Sequence, residues 1–246
     1  MARRPERYQY GEDELNFADL YRASESRMHG TIVLIHGGFW RWNREYFEGP
    51  TPLARAFVSS RFTVWQIEYR SVGSRGGWPT TLNDVESAIR MLPRVAEDLE
   101  LDLGNVITVG HSAGGHLAVW SLGLEDLPLA GAVSLAGVVD LARAERENLG
   151  GGAVRDFLGG SQTSHPDRYL SSDPTAHPTA TRAVRLIHGT ADFIVPVSQS
   201  ASYLAAARAV GQDVTLTEFD GDHFDVIDPS HPTWDLTLAA AIELTT

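Results

Sequence analysis

Hydrophobic positions along this chain alternate between two patterns. Residues 30–35 (GTIVLI), 62–69 (FTVWQIEY), 106–109 (VITV), 129–135 (LAGAVSL), 184–187 (VRLI) and 214–219 (VTLTEF) are short runs rich in apolar and β-branched side chains. Such runs predict strands, most of them buried on both faces. Between them lie segments with helical spacing. In 79–99 the apolar residues Leu82, Val85, Ala88, Ile89, Leu92, Val95, Ala96 and Leu99 recur every three or four positions. Pro79 suits a helix start, and Pro93 falls within the later turns. Shorter helices are predicted over 50–60, 114–124, 198–210 (stopped by Gly211) and 233–244. Residues 8–21 are mixed and read as one or two short edge strands. Residues 137–181 break the rhythm with Gly150, Gly151, Gly152, Gly159 and Gly160. They read as a small cap-like insertion, after the sixth strand, within one domain spanning 1–246.

Strand–helix alternation over most of the length predicts an α/β fold. Its central sheet is mostly parallel, of about eight strands, with helices on both faces. Ligands in such sheets bind beyond the carboxyl ends of the strands. The polar residues that follow each strand are therefore the candidates. After 30–35 come His36, Gly37 and Gly38. After 106–109 comes Gly110, His111, Ser112, Ala113, Gly114, a G-x-S-x-G turn with a strand before it and a small-residue helix after it. After 184–187 comes His188 and then Asp192, and after 214–219 come Asp220, Asp222 and His223. A serine hydroxyl needs a base in reach, the base needs an acid to fix its tautomer, and a tetrahedral intermediate needs N–H donors. Ser112 supplies the nucleophile and His223 the base. Asp192 and Asp140 are rival acids. The N–H groups of Gly37, Gly38 and Ala113 form a candidate oxyanion hole, with His36 bracing that loop. Phe39, Trp40 and His111, beside these groups, are placed in a substrate pocket. Asp222 shapes the base loop, and His188 is a structural or pocket residue.

Composition narrows the chemistry. The 246 residues carry a net charge of −12, which disfavours nucleic acid and anionic membranes as partners. Cysteine is absent, which excludes disulfides, a thiol nucleophile and thiolate metal sites. Lysine is absent too: all 20 basic residues are arginine, which excludes Schiff-base chemistry. No metal-ligand spacing stands out, so neither metal nor cofactor is expected. The start of the chain is charged without an apolar run behind it, and no stretch approaches the ~20 apolar residues of a membrane span. A cytoplasmic protein acting on a small-molecule acyl substrate is expected, and pairing into a homodimer is compatible with it.

At these residues the chain resembles the α/β-hydrolases, and within them the kynurenine formamidase (arylformamidase)-like and small esterase branch. The resemblance rests on His36 to Trp40 (HGGFW), 110–118 (GHSAGGHLA) and 222–227 (DHFDVI). Residues 68–70 (EYR) and 77–85 are similar to hormone-sensitive-lipase-like esterases. Residues 189–200 are similar to formamidases and to the hydrolase domain of prolyl-oligopeptidase-type peptidases. HGGFW departs from the HGGG of the lipase-like branch. The resemblance implies an order of nucleophile, acid and base that favours Asp192 over Asp140. It also implies a cofactor-independent serine hydrolase acting on small carboxylic esters or N-formyl and acyl aromatic amides. Acyl-aminoacyl or short-peptide hydrolysis, or a non-catalytic ligand-binding relative, are the alternatives.

Overall fold

A computed structural model describes residues 5–23, 29–42, 51–127 and 129–246. Eight strands form one sheet: β1 (Glu6–Gln9), β2 (Phe17–Tyr21), β3 (Gly30–Ile35), β4 (Phe62–Ile67), β5 (Val106–His111), β6 (Leu129–Leu135), β7 (Ala183–Gly189) and β8 (Val214–Phe219). Their spatial order is β1-β2-β4-β3-β5-β6-β7-β8. β1, β2 and β4 pair antiparallel, and every pairing from β4 to β8 is parallel. The carboxyl ends of β3, β5, β7 and β8 thus share one edge of the sheet.

The predicted helices form as α1 (Pro52–Ser59), α2 (Thr80–Asp98), α3 (Ala113–Trp120), α7 (Ser198–Ala209) and α8 (Trp234–Thr245). Position 50, taken as the start of the first helix, lies outside the described residues, as do the first four residues of the charged N-terminus. Thr51 caps α1 by accepting from the Ala54 N–H at 3.1 Å. Pro93 lies inside α2 without ending it.

Alternation along each strand builds two cores. Val33, Ile35, Trp65 and Ile67 face α2, α3 and α7, while Ile32, Leu34, Val64 and Val109 face α1 and α8. Burying each such side chain stabilises the fold by roughly 1.5–3 kcal/mol. Residues 137–181 hold α4 (Leu141–Arg146), α5 (Ala153–Leu158) and α6 (Pro166–Ser172). Val138, Val139, Leu141, Val154, Phe157, Leu158 and Tyr169 from this stretch join the α2/α3 core.

One strand differs from expectation. β2 is not an edge strand: it lies between β1 and β4 and is buried throughout. Its polar residue, Asp19, is the reason it reads as an edge. Arg7 on β1 meets both Asp19 oxygens, at 2.7 and 2.8 Å, so the carboxylate is buried with its charge matched.

Candidate active site

The apex of the site is Ser112, at φ 56°, ψ −120° between β5 and α3. That conformation costs a non-glycine residue on the order of 1–3 kcal/mol and persists because its surroundings fix it. The Ser112 N–H donates to Leu135 O at 2.9 Å, and Ser112 O accepts from Val138 N at 3.2 Å, which pins the turn to the end of β6. Close approach fixes the glycines. A Cβ on Gly114 would run into the carbonyls of Ile35 and His36. A Cβ on Gly37 would lie 3.0 Å from Ser112 Cβ and 2.8 Å from His111 O. The Gly37–Gly38 loop is therefore wedged against the serine.

The loop after β7 carries Asp192. Asp192 Oδ1 accepts from the N–H groups of Ile194 and Val195 at 2.9 and 2.8 Å. Its Oδ2 meets His223 Nδ1 at 2.6 Å. His188 Nε2 lies 3.4 Å from the same oxygen, and also donates to Val195 O at 2.7 Å. Burial alone would raise the Asp192 pKa. The hydrogen bonds from His188, from His223 and from Val195 N–H outweigh it and hold the carboxyl well below the usual carboxylate range. An ionised carboxylate only accepts, so His223 carries its proton on Nδ1 and presents Nε2 as its basic nitrogen.

The loop after β8 carries His223 and is shaped by Asp222, whose Oδ1 accepts from Phe224 N at 2.7 Å and Asp225 N at 3.2 Å. His111 joins this loop to the serine turn: its Nε2–H donates to His223 O at 2.9 Å, and the two rings lie 4.5 Å apart. Burial, aided by His223, pushes the His111 pKa down to about 3. His111 is thus a neutral tie, half-buried, with its Nε2–H committed to the chain. Asp140 does not reach His223; it caps α4 by accepting from Arg143 N at 2.8 Å.

The expected pocket residues separate. Trp40 is corrected from pocket wall to core: it is 0% exposed. Its Nε1–H donates to His116 Nδ1 at 3.1 Å, and its ring stacks on Phe157 of α5 at 4.8 Å. An indole needs a flat apolar neighbour and an acceptor, and it finds both inside. Phe39 is half-buried, and its ring lies over Gly150, where a Cβ would come within 2.7 Å of it. Arg41 ties the same loop to residues 150–156, donating to Gly150 O at 2.6 Å and pairing with Asp156 at 2.6 Å. Sequence patterning missed two exposed phenylalanines, one of them against His223. Phe193 is 94% exposed and Phe224 53%, with the Phe224 ring edge-on to His223 at 5.3 Å. Their placement directly after Asp192 and His223 was the available signal. Among the described residues no helix is long and apolar enough to cross a membrane.

The family model described as BD-FAE matches residues 18–206. Esterase LipC of Mycobacterium tuberculosis is 26% identical over 241 residues, covering 89% of this chain and 59% of that protein. A kynurenine formamidase of Meyerozyma guilliermondii is 36% identical over 110 residues, 45% of this chain and 39% of that protein. The chain spans less than two thirds of the length of these curated relatives. A truncated carbohydrate esterase from gut microbiota superposes with a TM-score of 0.83 at 21% identity, covering 98% of this chain and 97% of that one. Thermogutta terrifontis esterase 2 with bound propionate gives 0.73 at 23% identity, covering 97% and 92%. At these identities the likeness to solved structures is one of fold.

Proposed function

This chain belongs to the BD-FAE family, of the α/β-hydrolase type, and from that premise we propose that it is a serine hydrolase of small carboxylic esters or N-formyl and acyl aromatic amides. One observation carries the reading: Ser112 stands on a strained turn beside a base loop whose His223 is held by Asp192 at 2.6 Å. In this reading Ser112 Oγ attacks the carbonyl carbon while His223 Nε2 takes the hydroxyl proton. The N–H groups of Gly37, Gly38 and Ala113 receive the oxyanion, an effect worth roughly 2.7–4 kcal/mol per donor in comparable sites. Collapse breaks the bond to the alcohol or amine, which leaves with the proton from His223. Water, deprotonated by His223, then releases the acid from Ser112. The exposed Phe224 ring, edge-on to His223 at 5.3 Å, supports an apolar or aromatic leaving group, since in this reading that group departs next to His223.

The test is side-by-side turnover of N-formylkynurenine, p-nitrophenyl acetate and p-nitrophenyl butyrate, with Ser112→Ala as the blank and a fluorophosphonate probe for Ser112. Turnover and labelling should both vanish in the variant. Formamide turnover far above ester turnover selects an arylformamidase, and the reverse a small-acyl esterase. Full activity in Ser112→Ala sinks the reading, and a wild-type chain that neither turns over nor labels points to a non-catalytic relative.

A further inference from the structure

Two residues at the end of β4 act on the loop that faces Ser112. The Tyr69 hydroxyl donates to His36 O at 2.9 Å. The His36 ring lies flat on the Tyr69 ring, 4.4 Å away and 7° from parallel. An acceptor faces each nitrogen of that ring. Nδ1 is 2.8 Å from Gly37 O, and Nε2 is 3.0 Å from Glu68 Oε1. A carbonyl only accepts, so Nδ1 donates to Gly37 O, and Nε2 is tied to the Glu68 carboxyl group. Burial lowers the His36 pKa, but the charge and hydrogen bond of Glu68 outweigh it and the pKa is raised. Glu68 Oε1 also accepts from the Tyr69 N–H at 3.0 Å, and Glu68 is itself buried.

These contacts fall on two consecutive peptide planes. In a trans peptide the C=O and the following N–H point in opposite directions. Holding His36 C=O therefore aims the Gly37 N–H, and holding Gly37 C=O aims the Gly38 N–H. Gly38, at φ 112°, has no side chain to restrain it, so its peptide needs an external hold. We propose that Tyr69 and Glu68 are positioning residues for the oxyanion hole: Tyr69 orients the Gly37 N–H directly, and Glu68 orients the Gly38 N–H through the His36 ring. This rests on the reading of Ser112 as nucleophile. Neither residue touches substrate; each keeps a donor aimed before the charge develops, where preorganisation counts most.

Tyr69→Phe removes the hydroxyl and keeps the stacked ring. The expected result on p-nitrophenyl acetate is a fall in kcat of roughly ten- to a hundredfold with KM within about twofold, part of the loss seen when an oxyanion donor is removed outright. Binding of an aryl trifluoromethyl ketone, which forms the tetrahedral adduct, should weaken by the same factor, while inhibition by the product acid stays unchanged. Glu68→Gln keeps a hydrogen-bonding partner for His36 Nε2 and should lose less kcat than Glu68→Ala. Thermal melts accompany each variant, and if Tyr69→Phe does not fold, Glu68→Gln and its two readouts decide. An unchanged kcat, or a ketone affinity that does not follow kcat, overturns the proposal. A silent Ser112→Ala beside an unimpaired Tyr69→Phe overturns this proposal alone, whereas turnover surviving in Ser112→Ala removes the nucleophile assignment beneath it.

Discussion

Asp192 shows how one buried carboxylate sets the chemistry of its neighbours. Two backbone N–H groups hold one oxygen, and the other fixes the His223 tautomer. Asp192→Asn keeps the shape but lets the amide donate, which favours the wrong tautomer of His223. On an aryl ester, kcat should fall on the order of a thousand- to ten-thousandfold with little change in KM. A loss below tenfold would show that the imidazole is oriented by something else. Residue-scale chemistry was only partly legible in the sequence. Ser112, His223 and the glycine loop could be placed at one sheet edge because strand, turn and helix frame them. Asp192 and Asp140 could not be separated from the residues alone, since each is an acid after a strand. One accepts from a histidine and the other from a helix N–H, a difference of direction that no spacing records. Trp40 was misplaced for a related reason: its neighbour Phe157 lies more than a hundred residues away in the chain.

At the scale of elements, α5 and α6 are bound to Trp40, Trp78 and His116 through aromatic packing and carbonyl contacts. Phe157 stacks on Trp40, its carbonyl accepts from Trp78 N, and Ser172 O on α6 accepts from His116 Nε2–H. Phe157→Ala opens a cavity under Trp40. Urea unfolding should show a loss of about 3–5 kcal/mol, the range for a buried phenylalanine. A loss below about 1 kcal/mol would mean that the neighbours close over the gap. Parallel strands such as β3 and β6 were readable to the residue, because burial on both faces leaves an unbroken apolar run. β2 was not, because its place inside the sheet depends on Arg7 from another strand neutralising Asp19. Pairing between strands is invisible to a pattern read along one.

Two histidines make the molecule sensitive to acid: His111, half-buried, and His116, fully buried. Burial pushes His111 down to about 3, and pushes His116 down to about 4 despite the opposing bond to Ser172 O. An unfolded histidine titrates near 6.5. Between these values the unfolded chain binds more protons at these two histidines than the folded one, so their effect is absent above about pH 6.5 and lowers stability as pH drops toward 4. Melting temperature followed from pH 7.5 to 4.5 should decline over that window, and His116→Gln should flatten the decline; a pH-independent melt in the wild type would contradict it. The depressed Asp192 pKa acts lower still: its stabilisation is present above about pH 4 and is lost below it. The strand order has a further consequence for a chain made in one direction. β3 and β5, which bring the glycine loop and Ser112, sit side by side in the sheet, while Asp192 and His223 follow β7 and β8. On the ribosome, Ser112 is made long before His223. Under the proposed mechanism, a nascent chain holds its nucleophile without a base until β7 and β8 dock, so ester turnover would mark the arrival of those two strands.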